Sequence, residues 1–357
     1  MEINLIKVIL PSVLAFIVGM FITPILTKYL YEYKMWKKKV KTVSIDGGGT
    51  PIFNSLHAER EVSTPRMGGI VIWVSVIITT LALWMLANIL GGTFSKLDFL
   101  SRDQTLIPFV IFIFGALVGL VDDVLEIKGT GGNYAGGLSL TKRLFFVGII
   151  SLIVSMWFYF KLDVSIVNIP FMGAVNFGLY FIPFFILVIF FIYSGGVIDG
   201  IDGLAGGVFA SIFSAYASIA FFQNQINLAA FCAVVVGAIL AFLWFNIPPA
   251  RFYMSETGSM ALTITLGIVA FMTDSMVEGK GVAVLPIIAF PLFITSLSVI
   301  IQVLSKKMRN GKKIFLIAPL HHHFEAIGWP AYKVTMRYWV VSIVCAIFGV
   351  ILALAKF

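Results

Sequence analysis

Residues 5–30 read LIKVILPSVLAFIVGMFITPILTKYL, an apolar run in which the only charges are Lys7 and Lys28 near its ends. About 20 such residues are enough for an α-helix to cross the hydrocarbon core of a bilayer. Comparable runs recur along the 357-residue chain, which is 60% hydrophobic and only 12% charged. A soluble domain is roughly one quarter charged. The sequence therefore predicts an integral membrane protein and excludes the soluble classes.

Run length and flanking charge predict an all-α, polytopic transmembrane bundle of about ten helices, in a single integral membrane domain over residues 1–357. The first run is too long for a signal peptide and has no small-residue cleavage site, so we interpret it as the first span. Cys232 and Cys345 lie inside apolar runs and are interpreted as small buried residues. The predicted spans lie near 5–30, 68–90, 106–122, 144–161, 176–195, 203–222, 227–246, 258–273, 283–305 and 336–355.

The basic residues are divided unevenly between the two sets of connecting loops. One set contains Lys28, Lys34, Lys37, Lys38, Lys39, Lys41, Arg60, Arg66, Lys128, Lys142, Arg143, Arg251, Lys306, Lys307, Arg309, Lys312, Lys313, Lys333 and Arg337. The other set contains Lys7, Lys96, Arg102, Lys161, Lys280 and Lys356. Cytoplasmic loops carry the excess of Lys and Arg, so both termini are predicted to lie on the non-cytoplasmic side. The excess either sets topology alone or also attracts anionic lipid or substrate.

Six carboxylates are predicted to lie at or near the same cytoplasmic surface, although they come from separate parts of the chain. Ionisable groups at the membrane are costly and are usually kept for function. We therefore expect a single active site between the helix ends, facing the cytoplasm. The six are Asp122, Asp123, Asp199, Asp202, Glu256 and Glu325.

The segment Gly119-Leu120-Val121-Asp122-Asp123 ends the third predicted span. Two adjacent carboxylates repel one another unless a cation or a shared proton relieves them. Mg²⁺ typically takes one or two carboxylates together with substrate phosphates. The pair therefore favours a metal-nucleotide site, or a base next to a metal ligand, over the alternative of a helix cap beside a solvated residue.

Two further segments contain polar residues beside glycine or proline. The stretch 198–207, IDGIDGLAGG, predicts either a loop that binds sugar or base hydroxyls or a glycine-rich break between spans. The stretch 245–259, FNIPPARFYMSETGS, contains Glu256 just before a predicted helix. By itself, a glutamate there is equally well explained as a partner of the helix dipole.

Three of the four histidines are consecutive in residues 319–325, PLHHHFE. Consecutive side chains diverge by about 100° on a helix, so one metal ion cannot readily bind all three from a helix. In an extended or 3₁₀ segment they would line a short anion-binding edge beside the basic run at 306–313, and we expect that arrangement. A zinc site is the alternative.

The order of these motifs resembles the bacterial phospho-N-acetylmuramoyl-pentapeptide translocases (the MraY family) of the polyprenyl-phosphate N-acetylhexosamine-1-phosphate transferase superfamily. The resemblance covers nearly the whole chain, and the three-histidine motif is its most specific part. Glu126 stands where the family has lysine, and Glu256 replaces the family aspartate. The matching pieces are Thr64-Pro65 with Met67-Gly68-Gly69, Asp122-Asp123, Gly137-Leu138-Ser139, Asp199-Gly200-Ile201-Asp202-Gly203-Leu204, Phe245-Asn246, Gly258-Ser259, Leu297-Ser298-Val299 with Gln302, and 318–325.

The resemblance also implies roles for individual residues. Asp122 would act as the base or orienter of the lipid phosphate, supported by Asp123, and Glu256 would bind Mg²⁺. Three further groups follow from the same match: His321, His322 and His323 holding the diphosphate; Asp199, Asp202, Asn246 and Tyr253 lining the nucleoside pocket; and Lys142 and Arg143 binding substrate.

The reaction implied is transfer of phospho-N-acetylmuramoyl-pentapeptide from its UDP derivative to undecaprenyl phosphate, with release of UMP and formation of lipid I for peptidoglycan. The resemblance also implies a homodimer in the bacterial inner membrane, in contact with membrane lipid and without a nucleic-acid partner. One alternative is a related transferase that uses another UDP-sugar. The other is a transporter or an inactive homologue, although transporters usually place their charges nearer the middle of the bilayer.

Overall fold

The computed structural model describes residues 2–38, 49, 51–92, 94–130, 136–275 and 279–355. Three residues used in the charge argument, Lys39, Lys41 and Lys356, lie outside the described residues, as does the side chain of Arg60.

Within these residues the chain is almost entirely helical. Its α-helices are α1 Glu2–Glu32, α2 Pro51–Glu61, α3 Gly69–Leu90, α4 Leu106–Lys128, α5 Leu140–Lys161, α6 Phe181–Ser194, α7 Leu204–Phe222, α8 Ile226–Asn246, α9 Ser255–Ser275, α10 Gly281–Ile288, α11 Phe290–Met308, α12 Leu320–Ala326 and α13 Ala331–Leu354. Short 3₁₀ turns cover Phe94–Leu97, Gly178–Tyr180 and Gly195–Ile198. The strands β1 Ile166–Ile169 and β2 Gly173–Asn176 form an antiparallel hairpin in which Ile166 pairs with Asn176.

Ten helical segments of the described chain are long and apolar enough to cross a bilayer. This confirms the predicted bundle, with boundaries that differ from the prediction by a few residues. The ten are α1, α3, α4, α5, the segment Gly178–Ile198 that contains α6, α7, α8, α9, α11 and α13.

The ten spans differ in how deeply they lie in the bundle. Helix α9 is the innermost: 94% of its apolar stretch is buried by the rest of the protein, compared with 22% for α1. Large apolar side chains such as Phe21 of α1 and Val344 of α13 are exposed on the outer surface, as lipid contact requires. Asp122 and Asp123 of α4 lie where that helix packs against the central α9.

The predicted continuous span 283–305 is wrong, because the structure divides it into α10 and α11 at Ala289. Pro291 is the second residue of α11, after Phe290. Proline lacks a backbone N–H and is tolerated in a first helical turn rather than in the interior. The sequence interpretation also missed the β1–β2 hairpin and α2, since both are too short to register as spans.

The first and last described residues both lie at the end of the bundle away from the carboxylates. Tyr31, in the last turn of α1, donates a hydrogen bond to the Arg251 carbonyl (3.0 Å) at the carboxylate end, so Glu2 lies at the other end. Lys280 donates to the Ala355 carbonyl (2.6 Å) at that other end. Which end faces the cytoplasm stays a prediction.

Candidate active site

Helices α4 and α9 pack closely, and this contact brings the paired aspartates to the first turn of α9. Gly119 makes the approach possible, because a Cβ at this position would collide with the Glu256 carbonyl. Asp123 is fully buried and accepts hydrogen bonds from the backbone N–H groups of Glu256 (3.2 Å) and Thr257 (3.0 Å). These are unsatisfied donors at a helix N-terminus, which favours a carboxylate. Asp123 therefore positions Glu256.

Asp122 is also buried, and it holds the start of α5 close to the first turn of α9. Its carboxylate accepts a hydrogen bond from the Leu138 amide (2.6 Å), just before α5. From the first turn of α5, the Arg143 guanidinium forms an ion pair with the Glu256 carboxylate. We call Asp122, Asp123, Arg143 and Glu256 the acidic cluster. The predicted substrate residue Lys142 is exposed, and no contact between its side chain and this cluster is seen in the described part of the chain.

Glu126, one helical turn after Asp122, lies between two cations. Its carboxylate is 3.0 Å from Lys37 Nζ and 2.7 Å from an Arg66 guanidinium nitrogen, and Lys37 also pairs with Glu61 at 2.8 Å. The Glu126 side chain is only 10% exposed. At the position where the resemblance leads us to expect lysine, this chain therefore has a buried anion that neutralises two basic residues from the 31–67 connection.

Arg66 is a site residue that sequence reasoning missed. Its guanidinium interacts electrostatically with Glu126, Asp123 and Asp199, and its buried Nε has no hydrogen-bond partner in the part of the chain that the structure describes. The only available signal was that Arg66 lies inside a segment that matches the family, between Pro65 and Met67.

Asp199 and Asp202 both brace the loop that connects α8 to α9. Asp199 accepts from the Ser255 amide (2.8 Å) and Asp202 from the Ala250 amide (3.1 Å). Burial raises the pKa of Asp199 to about 6, although the Ser255 hydrogen bond and the Arg66 charge oppose the shift. The Asn246 side chain accepts from Gly203 N–H (2.9 Å) and donates to the Phe252 carbonyl (2.8 Å).

These contacts divide the four residues predicted to line a nucleoside pocket. Asp199 and Tyr253 lie on the wall of a cleft, as predicted. Asp202 and Asn246 do not line it; they are buried, and their polar groups are used to shape the loop. For Asp202 and Asn246, the assignment to a nucleoside pocket stays a prediction, and in this structure their side chains bind backbone groups of the loop and its flanks.

The three consecutive histidines lie on helix α12, so the expected extended or 3₁₀ arrangement is wrong. The rings of His321 and His322 are neighbours, with centroids 4.3 Å apart, whereas His323 lies on another face of the helix. His321 and His322 face Gly200, where a Cβ would lie 2.5 Å and 2.8 Å from their Nε2 atoms, so only glycine fits there. His323 turns away, and its Nδ1 accepts from the Leu316 amide (3.2 Å).

His321 is fully buried, and neither of its ring nitrogens has a hydrogen-bond partner among the described residues. Burial, with smaller contributions from His322 and His57, lowers the pKa of His321 well below the usual value. Its neighbour His322 lines the cleft, with the two ring centroids 4.3 Å apart, and a neutral imidazole has one ring N–H to donate to an oxygen.

His57, on α2, joins the histidine segment and was not predicted. Its Nε2 lies 3.1 Å from Glu325 Oε2, and His322 Nδ1 lies 2.7 Å from the same oxygen. Burial alone would raise the pKa of Glu325, but hydrogen bonds from His322 and His57 lower it to about 2. Nothing in the sequence around the fourth histidine indicated this contact, since it depends on how α2 packs.

The cleft between these groups has a volume of about 370 Å³. Ser255, which is bound to Asp199, immediately precedes Glu256, so the acidic cluster and the histidines adjoin the same cleft. Their combination of buried guanidinium groups, imidazoles and carboxylates suits a multiply charged phosphate ligand accompanied by a cation. The residues on its wall include Lys37, His57, Arg66, Asp199, Gly200, Tyr253, Lys306, Lys313 and His322.

Residues 105–274 match the family described as glycosyl transferase family 4. The chain is also similar to proteins named phospho-N-acetylmuramoyl-pentapeptide-transferase. The one from Chloroflexus aggregans is 34% identical, over 82% of this chain and 78% of the relative. That from Geobacillus sp. WCH70 is 33% identical over 96% of both chains, and that from Geobacillus thermodenitrificans is 36% identical over 82% and 84%.

A multi-pass membrane protein with a glycosyl transferase family 4 segment is, in class, a membrane-embedded glycosyl transferase. At this identity and coverage, the chain belongs to the phospho-N-acetylmuramoyl-pentapeptide-transferase family.

Proposed function

We propose that the protein transfers phospho-N-acetylmuramoyl-pentapeptide from its UDP derivative to undecaprenyl phosphate, releasing UMP and forming lipid I. The observation that carries the proposal is the convergence of Asp122, Arg143 and Glu256, from three different helices, beside the cleft that His322 lines. An oxygen of the lipid phosphate attacks the sugar-linked phosphorus. The bond to the uridylyl phosphate oxygen then breaks, and UMP leaves with the electron pair.

Asp122 is the residue that orients the lipid phosphate in this proposal. Its carboxylate lies at the inner end of α4 and is held by the Leu138 amide, so its direction is set before substrate arrives. A phosphate monoester has a second pKa near 6, so much of it is already ionised at neutral pH. Orientation therefore contributes more than proton removal, and Asp122 can accept the remaining proton.

The residues of the acidic cluster also fit a magnesium ion. Glu256 and Asp122 interact electrostatically with one another and offer only carboxylate oxygens, the hard ligands that Mg²⁺ prefers. Glu256 already forms an ion pair with Arg143, so its buried negative charge is one that a cation stabilises. We assign Glu256, with Asp122, as the residues that would hold Mg²⁺, which neutralises charge on the transferring diphosphate when bound. Asp123 fixes the Glu256 backbone.

The nucleotide half of the substrate would occupy the cleft. Asp199 and Tyr253 on its wall are placed to contact the nucleoside, and His321 and His322 to donate hydrogen bonds to diphosphate oxygens. Arg66 adds a fixed positive charge between the acidic cluster and the cleft. His323 acts indirectly, by holding the 316 segment.

We further propose that the cleft faces the cytoplasm across the bacterial inner membrane, because the cleft lies at the basic end of the bundle. Single-cysteine variants at Lys142 and Lys96, labelled with an impermeant maleimide in intact cells, test this orientation. Labelling of Lys142→Cys from outside would reverse it. The proposed homodimer is tested by the mass of the detergent-purified protein in light scattering.

The activity itself is tested by UMP release in detergent with undecaprenyl phosphate as the acceptor. We expect release from UDP-N-acetylmuramoyl-pentapeptide and a strict need for Mg²⁺. Equal or faster release from UDP-N-acetylglucosamine would assign the protein to a related sugar-phosphate transferase. No release from either nucleotide, by folded protein, would support a transporter or an inactive homologue and refute the proposal.

A further inference from the structure

Three metal-ligand atoms meet where α2 contacts α12. They are His57 Nε2, His322 Nδ1 and Glu325 Oε2, and all lie within 4.8 Å of one another. The Glu325 oxygen is 3.1 Å from the His57 nitrogen and 2.7 Å from the His322 nitrogen. His322 and Glu325 are three residues apart on α12 and so project from the same face. His57 is contributed by a different helix.

These separations are close to those around a bound zinc ion. Zinc binds histidine nitrogen and carboxylate oxygen at about 2.0–2.2 Å in tetrahedral geometry, so two ligand atoms stand roughly 3.3 Å apart. Relative to this spacing, the His322–Glu325 separation of 2.7 Å would have to grow by about 0.6 Å and the His57–Glu325 separation of 3.1 Å by about 0.2 Å, with the two imidazole nitrogens, which lie within 4.8 Å, adjusting around them. Because His57 is partly exposed and α2 lies outside the membrane-spanning set, its side chain can make this adjustment.

A metal ion could replace the present hydrogen bonds through a change in the tautomer of each imidazole. Each histidine nitrogen that now shares a proton with Glu325 would give its lone pair to the metal, and the proton would move to the other nitrogen of the same ring. Glu325 remains the anionic ligand. Both His57 and His322 also line the cleft, so a fourth coordination position would open toward it.

We propose that His57, His322 and Glu325 form a binding site for a divalent transition-metal cation such as Zn²⁺ or Co²⁺, separate from the Mg²⁺ carboxylates around Glu256. The two-imidazole, one-carboxylate set selects borderline metals, whereas Mg²⁺ prefers oxygen ligands throughout. Only one of the three consecutive histidines takes part. His321 turns toward Gly200 and His323 toward Leu316, as their helical spacing requires.

The proposal is tested by titrating Co²⁺ into the full-length protein, purified in detergent without a polyhistidine tag. We expect visible d–d absorption typical of four-coordinate Co²⁺, with one equivalent bound per chain, that is reversed by Zn²⁺ and unaffected by excess Mg²⁺. Loss of a residue that hydrogen-bonds to a metal ligand weakens metal binding about 10- to 100-fold, so loss of a ligand itself in His57→Ala or Glu325→Gln should weaken it by at least about 100-fold.

The matched control is His323→Ala, which removes a histidine from the same helix and should leave the Co²⁺ spectrum and affinity unchanged. His57→Gln provides a second variant if His57→Ala does not give a monodisperse peak in gel filtration. The proposal is overturned by any of three results: no Co²⁺ spectrum in the wild-type protein, unaltered binding in His57→Gln and Glu325→Gln, or loss of binding in His323→Ala. None of these results bears on UMP release, so the test is independent of the proposed transferase activity.

Discussion

Replacing Glu126 by glutamine tests the charge arrangement that distinguishes this chain from what its resemblance predicts. The Glu126→Gln variant keeps the shape of the side chain but removes the anion between Lys37 and Arg66. Removing one partner of a buried ion pair costs about 3–5 kcal/mol, because a buried charge is left uncompensated. Lys37 retains Glu61 at 2.8 Å, and Arg66 retains its electrostatic interactions with Asp123 and Asp199, so neither cation loses all of its compensation. We therefore expect the lower figure, about 3 kcal/mol.

The measurement is the midpoint of thermal unfolding in detergent. For a domain of 150–250 residues, each kcal/mol shifts the midpoint by about 2–4 °C, and a larger chain shifts less, so we expect a fall of about 5 °C. The control is Glu32→Gln, an identical change at an exposed glutamate, for which a surface effect within about 0.5 kcal/mol is expected.

A charge swap sharpens this test. Glu126→Lys alone places a third cation beside Lys37 and Arg66 and should destabilise the protein more than Glu126→Gln does. Adding Arg66→Glu restores an opposite charge at 2.7 Å and should recover part of the loss. A Glu126→Gln midpoint equal to that of the wild type and of Glu32→Gln would refute the view that Glu126 compensates these cations.

Three further predictions concern the cleft. Glu256→Gln and His322→Ala should each abolish Mg²⁺-dependent UMP release from protein that remains folded in gel filtration; wild-type rates in both would contradict the assigned roles. Because the folded-state pKa of Asp199 is raised to about 6 from 3.8, its contribution to stability falls as the pH rises between these values. The unfolding midpoint of Asp199→Asn relative to wild type should therefore increase from pH 4.5 to pH 7, and a constant difference would contradict the shift. Gly200→Ala should lower stability by about 1–3 kcal/mol and impair UMP release by crowding His321, whereas Gly196→Ala, whose Cβ would have an ordinary 3.6 Å contact, should do neither.

Much of the architecture could be predicted because a membrane span is a local property. Each crossing needs its own run of about 20 apolar residues, so the number and order of spans follow from the chain without knowledge of its packing. The break between α10 and α11 at Ala289 was not predicted, because the apolar run continues through it, although Pro286 and Pro291 flank it. The short hairpin at 166–176 produces no comparable signal.

The site was predictable at the level of which segments meet, but not at the level of individual contacts. Charges at the ends of spans had to gather at one surface, and Asp122, Glu256 and His322 do lie at one end of the bundle. Whether a carboxylate faces the cleft or a backbone amide depends on the rotation of its helix and on the loop beside it. Asp199 and Asp202 illustrate this, since they lie three residues apart and only Asp199 reaches the cleft wall.

The sequence by itself determined that the protein is a ten-span membrane bundle with six carboxylates and most of its basic residues predicted at one end, because hydropathy and charge act span by span. Only the tertiary structure decided that Arg143 pairs with Glu256, that Glu126 neutralises Lys37 and Arg66, and that His57 reaches Glu325 across 268 positions of the chain. These pairings depend on which helix faces are in contact, and that is set by side-chain packing between segments remote in sequence, which no local pattern records.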